Sequence, residues 1–136
     1  MSNQIVEYIQ FEKLVETDFG FLISEFNYKP YNRNNRTNFY DIQYKDSDTI
    51  ISISLEPIEN YFQVILFKLD NGNLPDYDDK TKTIHLSAMR TELLVKVENS
   101  MFEKNNQYFE TIEVRNDFER IVLKAAKDLR LCLKVK

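Results

Sequence analysis

Three successive segments between residues 38 and 69 are rich in aromatic and β-branched residues, and the first two also carry the alternating pattern of β-strands. In Asn38 to Lys45, tyrosine and isoleucine alternate with aspartate and glutamine, and in Thr49 to Glu56, isoleucine and leucine alternate with serine. Tyr61 to Leu69 is apolar on both faces. A period of two residues places alternate side chains on opposite faces of an extended chain, so these segments predict strands. The short polar turns between them predict consecutive antiparallel pairing.

A further strand is predicted ahead of these three, from Leu22 to Tyr28. Alternate residues of this segment are leucine, serine, phenylalanine and tyrosine, and it is followed by Pro30, which cannot donate a ladder hydrogen bond. The polar stretch Tyr31 to Arg36 predicts a turn-forming linker between the first two strands. The sequence therefore predicts a four-stranded antiparallel meander.

Helices are predicted on both sides of the strands. Apolar residues at helical spacing predict a first helix from Ile5 to Asp18, and a second from Ser87 to about Lys104 with Ser87 as its N-cap. The run Leu93 to Val97 inside the second segment could instead form a strand. Asn116, followed three residues later by Glu119, marks the start of a final helix through a capping-box pattern.

The final helix has an apolar stripe and an opposite charged face. A rotation of about 100° per residue places four basic residues on the charged face: Arg120, Lys124, Lys127 and Arg130. Leu123 and Leu131 fall there as well, and we expect them to contact another element of the fold rather than a partner. Residues 1–136 are therefore predicted to form a single α+β domain, with an N-terminal helix, a four-stranded antiparallel meander and two C-terminal helices packed on the sheet.

Composition limits where the protein can act. The chain has one cysteine, so it lacks the paired cysteines of small secreted domains, and we expect it in a reducing compartment, the cytoplasm. No apolar run approaches the ~20 residues that span a bilayer, and Glu7 and Glu12 stand where a signal peptide would be uncharged. A formal net charge of −4 opposes the basic surface of nucleic-acid-binding proteins. We therefore expect neither a membrane nor a nucleic acid as partner.

The residue types offer no catalytic arrangement. The single histidine, His85, has no serine or cysteine motif beside it, and Cys132 falls on the apolar stripe of the final helix. One cysteine and one histidine are too few for a zinc site, and two glycines are too few for a phosphate-binding loop. The loop from Asp70 to Asp79 has Pro75 at the position where an EF-hand requires glycine. The sequence predicts a protein that is not an enzyme and that holds no metal or cofactor.

Three parts of the chain carry a family resemblance: the helix end Asp18-Phe19-Gly20-Phe21, the aromatic strand series from Phe26 to Leu69, and the closing helix from Phe118 to Leu133. With its acidic charge and its lack of catalytic motifs, this outline resembles the small immunity-type proteins of bacterial polymorphic toxin systems and their uncharacterised relatives. The resemblance covers most of the chain. It implies a one-domain protein that binds a cognate toxin domain in the cytoplasm and neutralises it by blocking its active site or its access to substrate.

A partner-binding surface is predicted in the acidic loop that follows the strands. An acidic inhibitor and a basic toxin attract each other at long range, and tyrosine is a common anchor of protein interfaces. The predicted contact residues are Asp70, Asp76, Tyr77, Asp78 and Asp79. The basic face of the final helix, the segment with Arg33 and Arg36, and the aromatic-rich sheet are the alternative surfaces.

A second function class stays open at this point. The same fold could serve as a small-molecule-binding or structural module, with a ligand held between the sheet and the helices. Such a module would have a sizeable apolar cavity with a few converging polar groups. An inhibitor would instead be a monomer or a simple homodimer with no deep pocket.

Overall fold

The computed structural model describes residues 5–75, 79 and 81–135. Its strands, in chain order, are β1 (Lys29–Arg36), β2 (Phe39–Lys45), β3 (Thr49–Glu56), β4 (Tyr61–Lys68) and β5 (Thr83–His85). Its helices are α1 (Tyr8–Asp18), α2 (Phe21–Ser24), α3 (Leu86–Leu93), α4 (Asn99–Tyr108) and α5 (Asp117–Val135), and a 3₁₀ turn spans Leu94–Lys96. Helices stand at both ends of the chain and strands between them, which confirms the predicted α+β class.

The five strands form one antiparallel sheet in the order β1-β2-β3-β4-β5. Each strand pairs with its neighbours in the sequence, so the predicted meander is confirmed, and the register places Ile42, Ile53 and Val64 side by side. The predicted number of four strands is wrong. The fifth strand is only three residues long and pairs with the end of β4, and a segment this short cannot display alternation in the sequence.

The predicted first strand, from Leu22 to Tyr28, is also wrong. The chain forms the one-turn helix α2 there, with Phe21 and Leu22 fully buried. Asn27 then adopts a left-handed φ of 61°, which an extended strand does not contain. A short apolar run fits a strand and a helical turn equally well, so only its packing could decide between them.

The predicted linker Tyr31 to Arg36 is instead the larger part of β1. The strand has the sequence KPYNRNNR, without a single β-branched residue, and its side chains are exposed except for half-buried Asn34. Backbone pairing with β2 holds it in the sheet. Pro30 lies at a register shift between Pro30 and Asn32, where an edge strand tolerates a residue without an N–H.

The predicted helix from Ser87 to Lys104 is divided into α3 and α4. After the 3₁₀ turn, Val97 has extended backbone, with φ −90° and ψ 126°, before α4 begins. Val95 in that turn is 83% exposed, so packing does not favour continuation of the helix. The N-cap position belongs to His85 rather than to the predicted serine. The alternative strand from Leu93 to Val97 is absent from this described segment, and the sheet is followed by three α-helices instead of the predicted two.

Helix α5 agrees with the prediction at its start and along its apolar side. The side-chain oxygen of Asn116 accepts the N–H of Glu119 at 2.9 Å, and Oε1 of Glu119 accepts the N–H of Arg115 at 3.1 Å. Leu123 and Leu131 are 8% and 2% exposed, which confirms that they contact other elements of the fold.

Of the four basic residues predicted on the charged face of α5, Arg130 differs from the prediction. It is 6% exposed and does not lie on an open charged face. Its guanidinium group donates to both carboxyl oxygens of Glu25, at 2.8 and 2.7 Å, and to Oδ1 of Asn105 at 2.9 Å. It also lies 4.0 Å from the centre of the Tyr108 ring. The helical rotation places this residue opposite the apolar stripe as predicted, but α4 and the segment after α2 cover that side of the helix.

The hydrophobic core lies between one face of the sheet and the helices. The sheet contributes Tyr40, Ile42, Tyr44, Ile51, Ile53, Leu55, Val64 and Leu66. The helices contribute Phe11, Val15, Met89, Leu93, Val122, Ala126, Leu129 and Cys132. Among the strand aromatics, Tyr40 and Tyr44 belong to this core and Phe62 packs against it, whereas Tyr31 and Tyr61 are 52% and 51% exposed. Over the described residues, none of the helices has both the length and the apolar character needed to cross a membrane.

Candidate functional site

The acidic loop predicted to bind a partner is the connection between β4 and β5. Asp70 stands at its start, with Oδ2 2.8 Å from Nζ of Lys82. Asp79 stands near its end, where Oδ1 accepts the N–H and the hydroxyl of Thr81 at 3.0 and 2.5 Å. The other predicted contact residues, Asp76, Tyr77 and Asp78, lie outside the described residues. The position of Asp70 and Asp79 on the surface is consistent with a contact role but does not test it.

This connection lies beside the turn between β2 and β3. The N–H of Leu69 donates to the carbonyl oxygen of Asp48 at 2.8 Å, which joins the two segments directly. In the turn, Oδ1 of Asp46 accepts the N–H groups of Asp48 and Thr49 at 2.8 and 2.7 Å, so Asp46 shapes the turn while the Asp48 residue is exposed. We call Asp46, Asp48, Asp70 and Asp79 the acidic end of the sheet.

The second feature is the sheet face that points away from the core. Residues directly opposite each other on antiparallel strands share a face, so the pairing register identifies its side chains. One row crosses four strands and consists of Asn34, Asp41, Ser54 and Gln63. The next row consists of Asn32, Gln43, Ser52, Ile65 and His85. We call Asn32, Asn34, Asp41, Gln43, Ser52, Ser54 and Gln63 the polar face.

Asp41 lies at the centre of the polar face and is only 5% exposed. Its Oδ1 accepts the hydroxyl of Ser52 at 2.5 Å, and its Oδ2 accepts the side-chain amide of Gln43 at 2.8 Å. Burial raises the pKa of this carboxyl group, and the two hydrogen bonds act in the opposite direction. Ser52 and Ser54 on the same face are also buried, at 7% and 4% exposed.

Tyr61 borders the polar face at the end opposite the acidic end. It is 51% exposed, and its hydroxyl donates to Oε1 of Gln63 at 3.2 Å. Tyr61 on β4 therefore remains available for contact. Tyr40 and Tyr44 on β2, in contrast, are buried in the core. An interface tyrosine next to a row of amides is typical of protein-binding surfaces.

The alternative basic surfaces proposed from the sequence have ion pairs of their own. Arg33 is held by ion pairs to Glu12 and to Glu16, the latter at 3.0 Å, which anchor β1 to α1. On α5, Arg130 is buried and Lys124 pairs with Asp128 at 3.0 Å. The sequence could not show these pairings, because the acidic partners lie on other elements or on an adjacent helical turn.

Among the described residues, buried core side chains occupy the space between the sheet and the helices. A surface depression of about 380 Å³ lies instead beside the turn that carries Asp46. It is lined by Asn27, Lys29, Pro30, Tyr31, Lys45, Asp46 and Ser47. Lys29 and Lys45 are directly opposite each other on β1 and β2.

The side chains that could serve a nucleophilic mechanism are Cys132 and His85. Cys132 is fully buried, and burial raises the pKa of its thiol to about 11, so the thiolate nucleophile is suppressed at neutral pH. His85 lies at the N-cap of α3 and at the end of a row of the polar face. Within the described ranges, no group of three histidine, cysteine or carboxylate side chains is arranged to hold a metal ion.

Comparison of the chain with protein-family models, with curated proteins and with solved structures finds no match.

Proposed function

We propose that the protein is a non-catalytic binding domain of the immunity type, which binds a cognate toxin domain in the cytoplasm and neutralises it. The observation that carries the proposal is the acidic end of the sheet, where the turn with Asp48 and the connection that starts at Asp70 are joined by a backbone hydrogen bond. Two acidic segments that are distant in sequence thus present one surface. The net charge of −4 reinforces it.

Charge at this surface acts mainly on the speed and specificity of association. Exposed carboxylates contribute little to the strength of a complex, since water and salt screen them. They do steer a basic partner into a productive encounter. A toxin domain with a basic active-site surface is therefore the partner class that fits, and covering that surface would deny the toxin its substrate.

The test is to co-produce the protein with the toxin-like domain encoded nearest to its own gene and to measure both growth and complex formation. We expect restored growth and a stoichiometric complex whose association slows between ~0.1 M and ~0.5 M salt, because the ions screen exposed charges over this range. Absence of rescue and of binding to any neighbouring toxin-like domain would overturn the proposal.

The contact surface is tested with a triple variant, Asp48→Asn, Asp70→Asn and Asp79→Asn. We expect slower association with a nearly unchanged dissociation rate, as for charges at the rim of an interface. A matched control removes the same charge elsewhere, with Glu103→Gln, Glu110→Gln and Glu113→Gln at exposed positions in α4 and after it. Equal effects of the two triple variants would show that net charge matters and the acidic end does not.

A small-molecule-binding module is the second candidate, and the depression beside Tyr31 favours it. Two lysines directly opposite each other suit a small anion, and Nζ of Lys45 also lies 5.0 Å from the centre of the Tyr31 ring. The turn carboxylate of Asp46 in the same lining opposes anion binding. Thermal stabilisation by phosphate or by an aromatic carboxylate, lost in Lys45→Gln, would favour this candidate over the inhibitor.

A further inference from the structure

Asp41 is a buried carboxyl group that has hydrogen-bond donors but no cation. Among the described residues, no basic side chain forms an ion pair with it, although the exposed carboxylates at Glu12, Glu16, Asp70 and Asp117 all have one. Buried charges in proteins are usually paired, because removing an unpaired charge from water is costly. Asp41 lacks the partner that this rule requires.

The surroundings of Asp41 are suited to receiving a basic side chain from outside. Its cross-strand neighbours in the row, Asn34 and Ser54, are neutral, and so are its hydrogen-bond donors Gln43 and Ser52. Each carboxyl oxygen accepts one of these hydrogen bonds, and an ionised carboxylate has about four acceptor positions in all. Both oxygens therefore keep the capacity to accept a further donor.

We propose that Asp41 is the receptor for an arginine side chain of the protein partner, which lies across the polar face with its guanidinium group on the carboxylate. This inference names the chemistry of the partner and so rests on the proposed function. Arginine fits better than lysine, because its planar group can donate to both carboxyl oxygens at once and to neighbouring amide oxygens such as that of Asn34.

The polar face and the acidic end would then act at different stages of binding. The acidic end is exposed and attracts a basic partner over distance. Asp41 is desolvated before the partner arrives, so an arginine placed on it forms a pair that water screens weakly. Pairs of this kind at the centre of an interface control how slowly a complex dissociates.

The experiment is an NMR titration of the isotope-labelled protein with N-acetyl-arginine amide, with N-acetyl-citrulline amide as the control. Citrulline has nearly the shape of arginine but no charge. We expect arginine to shift the amide signals of Asn34, Asp41 and Gln43 in a saturable way, and citrulline to leave them nearly unchanged. In Asp41→Asn the arginine affinity should be roughly tenfold weaker, the size expected when the charge is removed from a hydrogen-bonded ion pair.

Two further variants keep the outcome interpretable. Ser52→Ala removes one donor to Asp41 and keeps its charge, so arginine should bind at least as well, even if Asp41→Asn fails to fold. Asp48→Asn removes an exposed charge at the acidic end and should leave the polar-face response unchanged.

Three results would overturn the proposal: equal responses to arginine and citrulline, shifts confined to the turn with Asp46 and Asp48, or polar-face signals that move on dilution without any probe. The last would assign the face to a second copy of this chain. None of these three NMR results depends on toxin neutralisation. The failure of this inference can therefore be distinguished from the failure of the proposed function, which is tested by growth and complex formation.

Discussion

Asp18 is the last residue of α1, and its side chain is buried, with 1% of the residue exposed. Neither carboxyl oxygen has a hydrogen-bond partner among the described residues. Burial raises the pKa of this group from 3.8 to about 6, and the negative charge of Glu119 acts in the same direction. The C-terminal end of a helix is itself unfavourable for a negative charge. Asp18 therefore opposes the stability of the fold whenever it is ionised.

We predict that Asp18→Asn stabilises the protein at neutral pH and not at pH 4. The folded state holds the proton more tightly than the unfolded chain, so the contribution of Asp18 to stability falls as the pH rises from about 4 to about 6. The shift corresponds to at most ~3 kcal/mol at pH 7, and an uncharged amide avoids that loss. Urea unfolding of both proteins at pH 4 and pH 7.5 measures the difference.

Glu103→Gln serves as the control, because it removes an exposed carboxylate of α4 and should leave the pH dependence of unfolding unchanged. If the advantage of Asp18→Asn were the same at both pH values, or if the variant were less stable at pH 7.5, the account of Asp18 as a titrating buried acid would be wrong.

At this scale the sequence predicts some residues of the site and misses others. The acidic connection from Asp70 to Asp79 could be read directly, because a run of carboxylates without periodicity is a surface loop. From the sequence, Asp41 could be identified only as a residue on the solvent-facing side of a predicted strand. Its burial and its bonds to Ser52 and Gln43 depend on the register between strands, which the sequence of one strand does not contain.

At the scale of elements, Arg130 joins three parts of the fold. Its pair with Glu25 ties α5 to the segment after α2, and its bond to Asn105 ties α5 to α4. The amide of Asn105 also donates to the backbone carbonyl of Lys127 at 3.0 Å. The guanidinium group of Arg130 and the side-chain amide of Asn105 thus both hold α4 on α5.

We predict that Arg130→Lys destabilises the protein by about 2 kcal/mol and loosens α4. Lysine keeps the charge but lacks the planar group that bonds both oxygens of Glu25 and Asn105 at once, and the remaining cation near Glu25, Nζ of Lys134, is 4.0 Å away. The free energy of unfolding in urea measures the first effect, and hydrogen exchange of the α4 amides measures the second. Arg120→Lys is the matched control, because the Arg120 side chain is 68% exposed in its pair with Asp117. Equal loss in both variants would contradict the prediction.

The elements differ in how far the sequence determines them. β2 and β3 were predictable because apolar and polar residues alternate along them, β4 because it is a short run of aromatic and β-branched residues, and α5 because its apolar stripe repeats over about five turns. β1 was not, because its asparagines and arginines have no strand preference, and the neighbouring strand rather than its own sequence makes it extended. The division between α3 and α4 was hidden because Met89, Leu93, Val97 and Met101 continue one helical repeat across it.

At the scale of the whole molecule, Cys132 reports on the integrity of the single core between the sheet and the helices. It lies fully buried on α5, among residues contributed by both layers. Reagents can reach it only when these layers separate.

We predict that the native protein reacts with a thiol reagent at least ~1,000-fold more slowly than the protein in urea, because reaction requires a rare opening of the fold. The chain has one cysteine, so each molecule gives one signal without a need to remove others. Absorbance after addition of an aromatic disulfide reagent measures the rate. A small peptide with the sequence around Cys132 supplies the unprotected reference rate, and native labelling close to that rate would contradict the single-core description.

The polar face also bears on how the protein behaves before it meets a partner. A docking surface built from leucines and phenylalanines would attract other copies and limit the concentration at which the free protein remains dispersed. The polar face presents mainly amides and hydroxyls instead, and the edge strand β1 has a proline and several charges that discourage sheet-to-sheet growth. A cell could therefore keep an excess of the free protein, which would suit the proposed function, because an inhibitor has to be present before its toxin acts.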